Sequence, residues 1–214
     1  GKEVSRSQND ILSEIKESAK KGVKEIILLG QNVNSYSFEG ISFSSLIYSI
    51  AEINEIKRIR FMTSHPRDMT DELIKAFGTI PKLMPFLHLP VQSGSNRILK
   101  SMNRGHIVEE YLEIINKLRY VRKDICFSSD FIVGYPGETD KDFQETIDLC
   151  EKVQFSQAYS FNYSSRPGTP ASRKKDLDEN LKKTRLHVLQ DLLNKQQTTF
   201  LKEQKNRKHT VLFE

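Results

Sequence analysis

Short apolar runs alternate along this 214-residue chain with stretches whose apolar side chains recur every three or four residues. That alternation constrains the fold more than any other feature. A short continuous apolar run suits a strand buried on both faces, and the three-to-four spacing puts one apolar stripe on a helix. Strand patterns fall at residues 25–30, 59–63, 86–91, 126–133 and 157–163, with Pro90 weakening the third. Helix patterns surround them. Ser7 is placed to cap a helix carrying Ile11, Leu12 and Ile15, and Thr70 one carrying Leu73, Ile74 and Phe77. Phe43, Leu46, Ile47 and Ile50 mark another; Val108, Tyr111, Leu112, Ile115 and Leu118 mark the clearest. Thr139 and Asp142 read as a capping box ahead of Phe143, Ile147 and Cys150. A long last helix, about residues 178–206, is expected to bury Leu181, Val188, Leu189, Leu192 and Phe200. Such alternation predicts a parallel sheet with right-handed crossovers. About five units fall short of an eight-unit closed barrel, so an open doubly wound sheet and a partial barrel both satisfy the pattern.

In either architecture ligands gather at the carboxyl ends of the strands. The segments expected there are GQNVNSY (residues 30–36), TSHPRD (63–68), QSGSN (92–96), GYPGET (134–139) and SSRPGTP (164–170). One polar, glycine-bearing loop is an ordinary turn. Five in succession, nearly free of large apolar side chains, point to a ligand rich in hydrogen-bonding groups, such as a nucleotide or nucleoside. Asp130, inside the fourth strand pattern, is either a carboxylate facing that ligand or a core carboxylate paired with Ser or Arg, because an unpaired buried charge is costly. His65 reads as a structural histidine that also has the chemistry for proton transfer. Arg166 has the fork to clamp an anion. Cys126 and Cys150 read as core thiols.

Other classes lose support. There is no G-x-G-x-x-G after the first strand, no phosphate-binding P-loop and no G-x-S-x-G elbow. Two cysteines make neither a disulfide-rich scaffold nor a four-ligand metal site, and the reducing cytosol is the expected compartment. No apolar run is long enough for a membrane span, and no signal peptide pattern is present. The net charge of +5 lies wholly in residues 171–214, which hold 11 Lys and Arg against 6 Asp and Glu. A localised basic segment is either a solvated helix face or a surface for a polyanion, usually nucleic acid.

Six stretches in order carry a resemblance: GKEVSR (1–6), LLGQNVNSY (28–36), TSHPRD (63–68), LHLPVQSGSNRILKSMNRG (87–105), DFIVGYPGET (130–139) and SRPGTPA (165–171). Together they resemble the radical S-adenosylmethionine (SAM) methylthiotransferases of the MiaB type, the branch that modifies tRNA. The resemblance implies an α/β fold, a partial (β/α) TIM-like barrel of the radical SAM type with a long C-terminal helix. It implies a core over residues 1–175, its last helix or linker over 176–209, and the start of a tRNA-gripping TRAM domain over 210–214. The family's C-x-x-x-C-x-x-C loop, expected just upstream of Gly1, and the first barrel strand are not in this sequence. The chain is therefore expected to be a fragment that alone neither holds the clusters nor turns over.

The implied cofactors are SAM and, in the full-length protein, two 4Fe–4S clusters whose cysteines lie outside this chain. The implied SAM contacts are Gln31, Asn32, Gln92, Ser93, Asp130, Val133, Gly134 and Arg166. No metal ligand and no catalytic residue is assigned. The implied reaction adds a methylthio group to C2 of N6-isopentenyladenosine next to the anticodon of tRNA. A flavodoxin or ferredoxin is the implied electron donor, and the protein is expected to be a cytoplasmic monomer without a membrane partner. The alternatives are a sister methylthiotransferase, acting on threonylcarbamoyladenosine tRNA or a ribosomal protein, and a non-catalytic RNA-binding module.

Overall fold

The computed structural model describes residues 4–205 and 207–213. Gly1, Lys2 and Glu3 of the first family stretch, Asn206 of the expected last helix or linker, and Glu214 of the expected TRAM start lie outside the described residues. In chain order the elements begin with α1 (Gln8–Lys20), β1 (Glu25–Leu28), β2 (Ser37–Phe38), β3 (Ile41–Ser42), α2 (Phe43–Ala51), β4 (Arg58–Phe61) and α3 (Asp71–Thr79). They continue with β5 (Phe86–His88), α4 (Asn96–Ser101), α5 (Val108–Val121), β6 (Cys126–Val133), α6 (Asp140–Val153), β7 (Gln157–Asn162) and α7 (Glu179–Gln204). The chain forms two compact units, one from Gly1–Val91 with Arg104–Ser128, the other from Gln92–Asn103 with Ser129–Glu214.

In the first unit β1 and β4 pair in parallel, Glu25 opposite Arg58 through Leu28 opposite Phe61. β5 pairs in parallel with the start of β6, Phe86 opposite Cys126. Ser7 and Thr70 cap α1 and α3 as their positions predict, accepting from the Asp10 and Leu73 amides at 3.1 and 3.2 Å. The core holds Phe43, Phe61 and Phe77 in edge and tilted ring contacts. Tyr111 is fully buried, and its hydroxyl donates to Leu89 O at 3.1 Å.

β1 departs from its expected burial. Ile27 is 51% exposed, and Leu29 just past the strand 73%, because among the described residues β1 is paired only with β4. Beyond the GQNVNSY segment, β2 and β3 form a small hairpin.

In the second unit the remaining residues of β6 lie beside β7. The Gln92 amide donates to Asp130 O at 2.9 Å and Gln92 O accepts from the Ile132 amide at 2.9 Å, which carries the sheet past Pro90. Phe131 and Phe155 meet edge to face in this core. The Thr139–Asp142 capping box forms as read. The segment after Gln92 stays non-helical through Ser95, as expected, and the short helix α4 begins at its last residue, Asn96.

α7 corrects the expected face. Its buried side chains are Lys182, Arg185, Leu189, Leu193 and Gln196, whereas Leu181 and Val188 are exposed. The polar members are buried because each finds partners: Gln196 spans Cys150 O and the Phe155 amide at 2.8 and 3.0 Å. Beyond α7, the described residues 207–213 form neither helix nor strand.

Candidate functional site

Each unit brings two polar segments together at strand ends. In the first unit these are the residues after β1 and β4. Asn34, 6% exposed, clips them together: its side-chain amide donates to His65 O at 2.9 Å, and its Oδ1 accepts from the His65 amide at 2.8 Å. The Val33 amide donates to Thr63 O at 3.2 Å, and Thr63 Oγ1 donates to Gly30 O at 2.5 Å. Thr63 takes a φ of +62°, a conformation a β-branched residue adopts only when its surroundings impose it.

Gln31 and Asn32, both expected SAM contacts, line a cavity of about 470 Å³ with Gly30, Tyr36, Arg6 and Leu29. Gln31 is exposed. The Asn32 amide nitrogen donates to Asp68 Oδ2 at 2.6 Å, while its buried Oδ1 has no protein partner. A buried acceptor without a donor fits a ligand that brings one, such as the ammonium or hydroxyl groups of SAM.

His65 caps the turn that follows, its Nδ1 accepting from the Arg67 amide at 3.2 Å. Its ring meets His106 edge to face at 5.5 Å. Burial, reinforced by the nearby Arg104 and His106 charges, lowers the His65 pKa to about 4. Burial also lowers His106. The pair is therefore neutral near pH 7, in keeping with a structural His65.

In the second unit the segments are those after Gln92 and after β6. Ser93 is 1% exposed, and its Oγ accepts from the Ser95 amide at 3.1 Å. The Gly94 amide donates to Thr146 Oγ1 at 2.9 Å. A Cβ on Gly94 would fall 2.5 Å from Thr146 Cα, so only glycine allows this approach to α6.

Asp142 then ties both segments together. It accepts from Ser95 Oγ at 2.7 Å, from Arg97 Nε at 3.1 Å and from the Thr139 amide at 2.7 Å, and it forms an ion pair with the Arg97 fork. The same fork donates to Gly137 O at 2.6 Å. Burial alone would raise the Asp142 pKa, but these donors outweigh it and hold the carboxyl far below the usual carboxylate range.

The other expected contacts belong to this unit too. Asp130 is half-buried on β6, and Gln92 takes a φ of +77°. Val133 is buried at the end of β6, and Gly134 follows with a φ of +71°. Arg166 is exposed, in a turn closed by Thr169, whose Oγ1 donates to Arg166 O at 2.8 Å.

Sequence reading alone missed Asn34, Arg97, Glu138, Thr146, Lys182 and Arg185. The last two were legible in principle, since 182, 185, 189, 193 and 196 follow helical spacing, but a stripe sought among apolar residues passes over them.

The residues in hand do not fit an iron–sulfur cluster. Among the described residues, no three His, Cys, Asp or Glu side chains come together to hold a metal. Cys126 lies on β6 and Cys150 is buried in α6, and burial raises the pKa of both thiols, opposite to what a thiolate ligand requires.

Comparison with known proteins agrees with this architecture. Coproporphyrinogen III oxidase (HemN) from Escherichia coli, a radical SAM enzyme, superposes with a TM-score of 0.61 at 16% identity, over 91% of this chain and 48% of that one. The radical SAM methyltransferase TsrM from Kitasatospora setae gives a TM-score of 0.62 at 14% identity, over 78% of this chain and 33% of that one. At such identity the likeness concerns the fold.

Curated relatives are much nearer. A tRNA-2-methylthio-N(6)-dimethylallyladenosine synthase from Rickettsia akari is 54% identical over 92% of this chain and 46% of its own length. The synthase of the same name from Bartonella tribocorum is 53% identical over 100% of this chain and 48% of its own. The chain thus spans about half the length of the curated relatives it matches. The sequence model of the Radical SAM superfamily matches residues 1–150. With the parallel strand–helix units and the polar segments at their carboxyl ends, that match makes this chain a member of the radical SAM superfamily.

Proposed function

We propose that this chain is the SAM-binding core of a tRNA methylthiotransferase that adds a methylthio group to C2 of N6-isopentenyladenosine beside the anticodon. The observation that carries the reading is the 53% identity, over the whole chain, to a synthase named for that product. SAM is the source of the methyl group and of the 5′-deoxyadenosyl group when bound.

The work of this chain is to bind and orient SAM. Gln31 and Asn32 offer amide groups on one cavity wall, and the unmet Asn32 Oδ1 receives a ligand N–H or O–H. Gln92, Ser93, Asp130, Val133, Gly134 and Arg166 provide the remaining contacts, with backbone groups at the Gly134 turn suited to an adenine edge and the Arg166 fork suited to a carboxylate. Two 4Fe–4S clusters belong to the reading, and they require thiolates other than Cys126 and Cys150. The exposed basic residues of 171–214 suit the tRNA backbone. A flavodoxin- or ferredoxin-type electron donor, a monomeric state and a cytoplasmic location accompany it. Among the described residues no helix is long and apolar enough to cross a membrane.

The test is nucleoside analysis of tRNA from a strain lacking the gene. Loss of the methylthio group from isopentenyladenosine, restored by the complete gene, is the expected result. Loss of methylthio from threonylcarbamoyladenosine instead, or an unchanged tRNA, overturns the reading.

A further inference from the structure

We infer that Arg185, supported by Lys182, is a positioning residue that lets helix α7 hold the ligand segment at the end of β6. This rests on the proposed reading, in which Val133 and Gly134, at the start of that segment, contact SAM. β6 ends at Val133, and Gly134 turns away in the left-handed region at a φ of +71°. That turn removes the Gly134 amide from the strand ladder, and the amide donates instead to Glu138 Oε2 at 2.9 Å.

The Glu138 side chain is 1% exposed, and a carboxylate so placed needs a cation to remain ionised. Arg185 supplies it. Arg185 Nη1 donates to Glu138 Oε2 at 2.8 Å and to Glu138 O at 3.1 Å, and Nη2 reaches Asp140 Oδ1 at 2.6 Å. Its guanidinium also lies over the Phe143 ring, 5.6 Å from the centroid. One guanidinium therefore holds the Glu138–Asp140 arm of the turn, and the Glu138 carboxylate carries that hold to the Gly134 amide.

Lys182, three residues earlier and on the same helix face, completes the brace. Its aliphatic stem covers Gly134 so closely that a Cβ there would lie 2.5 Å from Lys182 Cγ. Its ammonium is anchored by Asp176 at 2.9 Å and Glu179 at 2.5 Å. Burying two cations on a helix is not the cheapest way to stabilise a fold, since apolar residues of similar volume often serve as well. What the cations add is direction. They fix a backbone amide and a carboxylate that a leucine stripe would leave undirected.

The experiment uses the complete, cluster-loaded protein with Arg185→Met and Arg185→Lys. SAM affinity is measured by equilibrium dialysis, together with KM and kcat and the hydrogen exchange of the Gly134 amide. Arg185→Met is expected to raise Kd and KM for SAM about tenfold, the scale of one charge-assisted hydrogen bond, with kcat changed less than about threefold. Faster exchange at Gly134 accompanies it, and Arg185→Lys recovers part of both effects.

Wild-type affinity and exchange in folded Arg185→Met, or a fall in kcat at unchanged KM, overturn the inference. Should Arg185→Met fail to fold, Asp140→Asn decides, because the Asp140 side chain is 96% exposed. About twofold to threefold weaker SAM binding supports the brace, and unchanged binding overturns it. A wild-type protein that binds no SAM overturns the proposed function instead, and Gly134 exchange in Arg185→Met then decides the brace alone.

Discussion

The segments after β1 and β4 and the segments after Gln92 and β6 are both polar and both glycine-bearing, yet they are held by different physics. In the first unit amide side chains do the fastening, Asn34 against the His65 backbone and Asn32 on the Asp68 carboxylate, beside two histidines whose pKa burial lowers. In the second it is ionic, with Asp142 and Arg97 across one pair of turns and Glu138 and Arg185 across the next. Neutral clips cost little to bury but fail when a histidine must take a proton. Charged clips cost more to bury, and their donors decide the outcome: those around Asp142 hold its carboxyl far below the usual range, whereas burial raises the pKa of Glu138 despite Arg185.

Breaking the ionic side should have the largest effect. Asp142→Ala leaves Ser95 and Thr139 without their shared acceptor, while Arg97, 57% exposed, returns to water; a loss of about 2–4 kcal/mol is expected in urea unfolding, as for several hydrogen bonds to one carboxylate. Gly94→Ala drives a methyl group into the backbone of α6, which gives little; a loss of about 1–3 kcal/mol is expected in the same assay. On the neutral side Asn34→Ala removes two hydrogen bonds to His65, and a smaller loss, about 1–2 kcal/mol, should appear.

The smallest effect sharpens the contrast through pH. The folded-state pKa of His65 is about 4, below its ordinary 6.5, so the neutral ring stabilises the fold fully above 6.5 and that contribution fades as pH falls towards 4. Asp142 is lowered too, but for an acid that favours the charged form, so its contribution is complete above 3.8 and fades only at still lower pH. His65→Asn, which keeps an acceptor for the Arg67 amide, should flatten the unfolding midpoint between pH 6.5 and 4. An unchanged slope there assigns the loss to His106 or to other groups.

Much of this was legible before any coordinates. The bounds of β6 and the Thr139 capping box follow from local chemistry, in which each residue carries its own instruction. The open face of β1 was not legible, because a run of Ile and Leu looks the same whether or not a neighbouring strand covers it. The buried face of α7 was hidden for a related reason. Lys182 and Arg185 are buried through partners that include Asp176, Glu138 and Asp140, and pairing at a distance leaves no periodic trace among apolar residues. The polar segments were legible as candidates for ligand contact. Among the side chains that hold them, Asp142 was legible as a cap but not as the partner of Ser95 and Arg97, and Asn34 showed its role only when the chain was folded.

The most direct test of the central claim, that these strand-end segments bind SAM, is equilibrium dialysis of SAM against the complete cluster-loaded protein and its Asp130→Ala and Gln31→Ala forms. The account predicts one SAM per chain, with affinity about tenfold weaker in each variant, as for the loss of a single polar contact to a charged ligand. Wild-type affinity in both variants would contradict it.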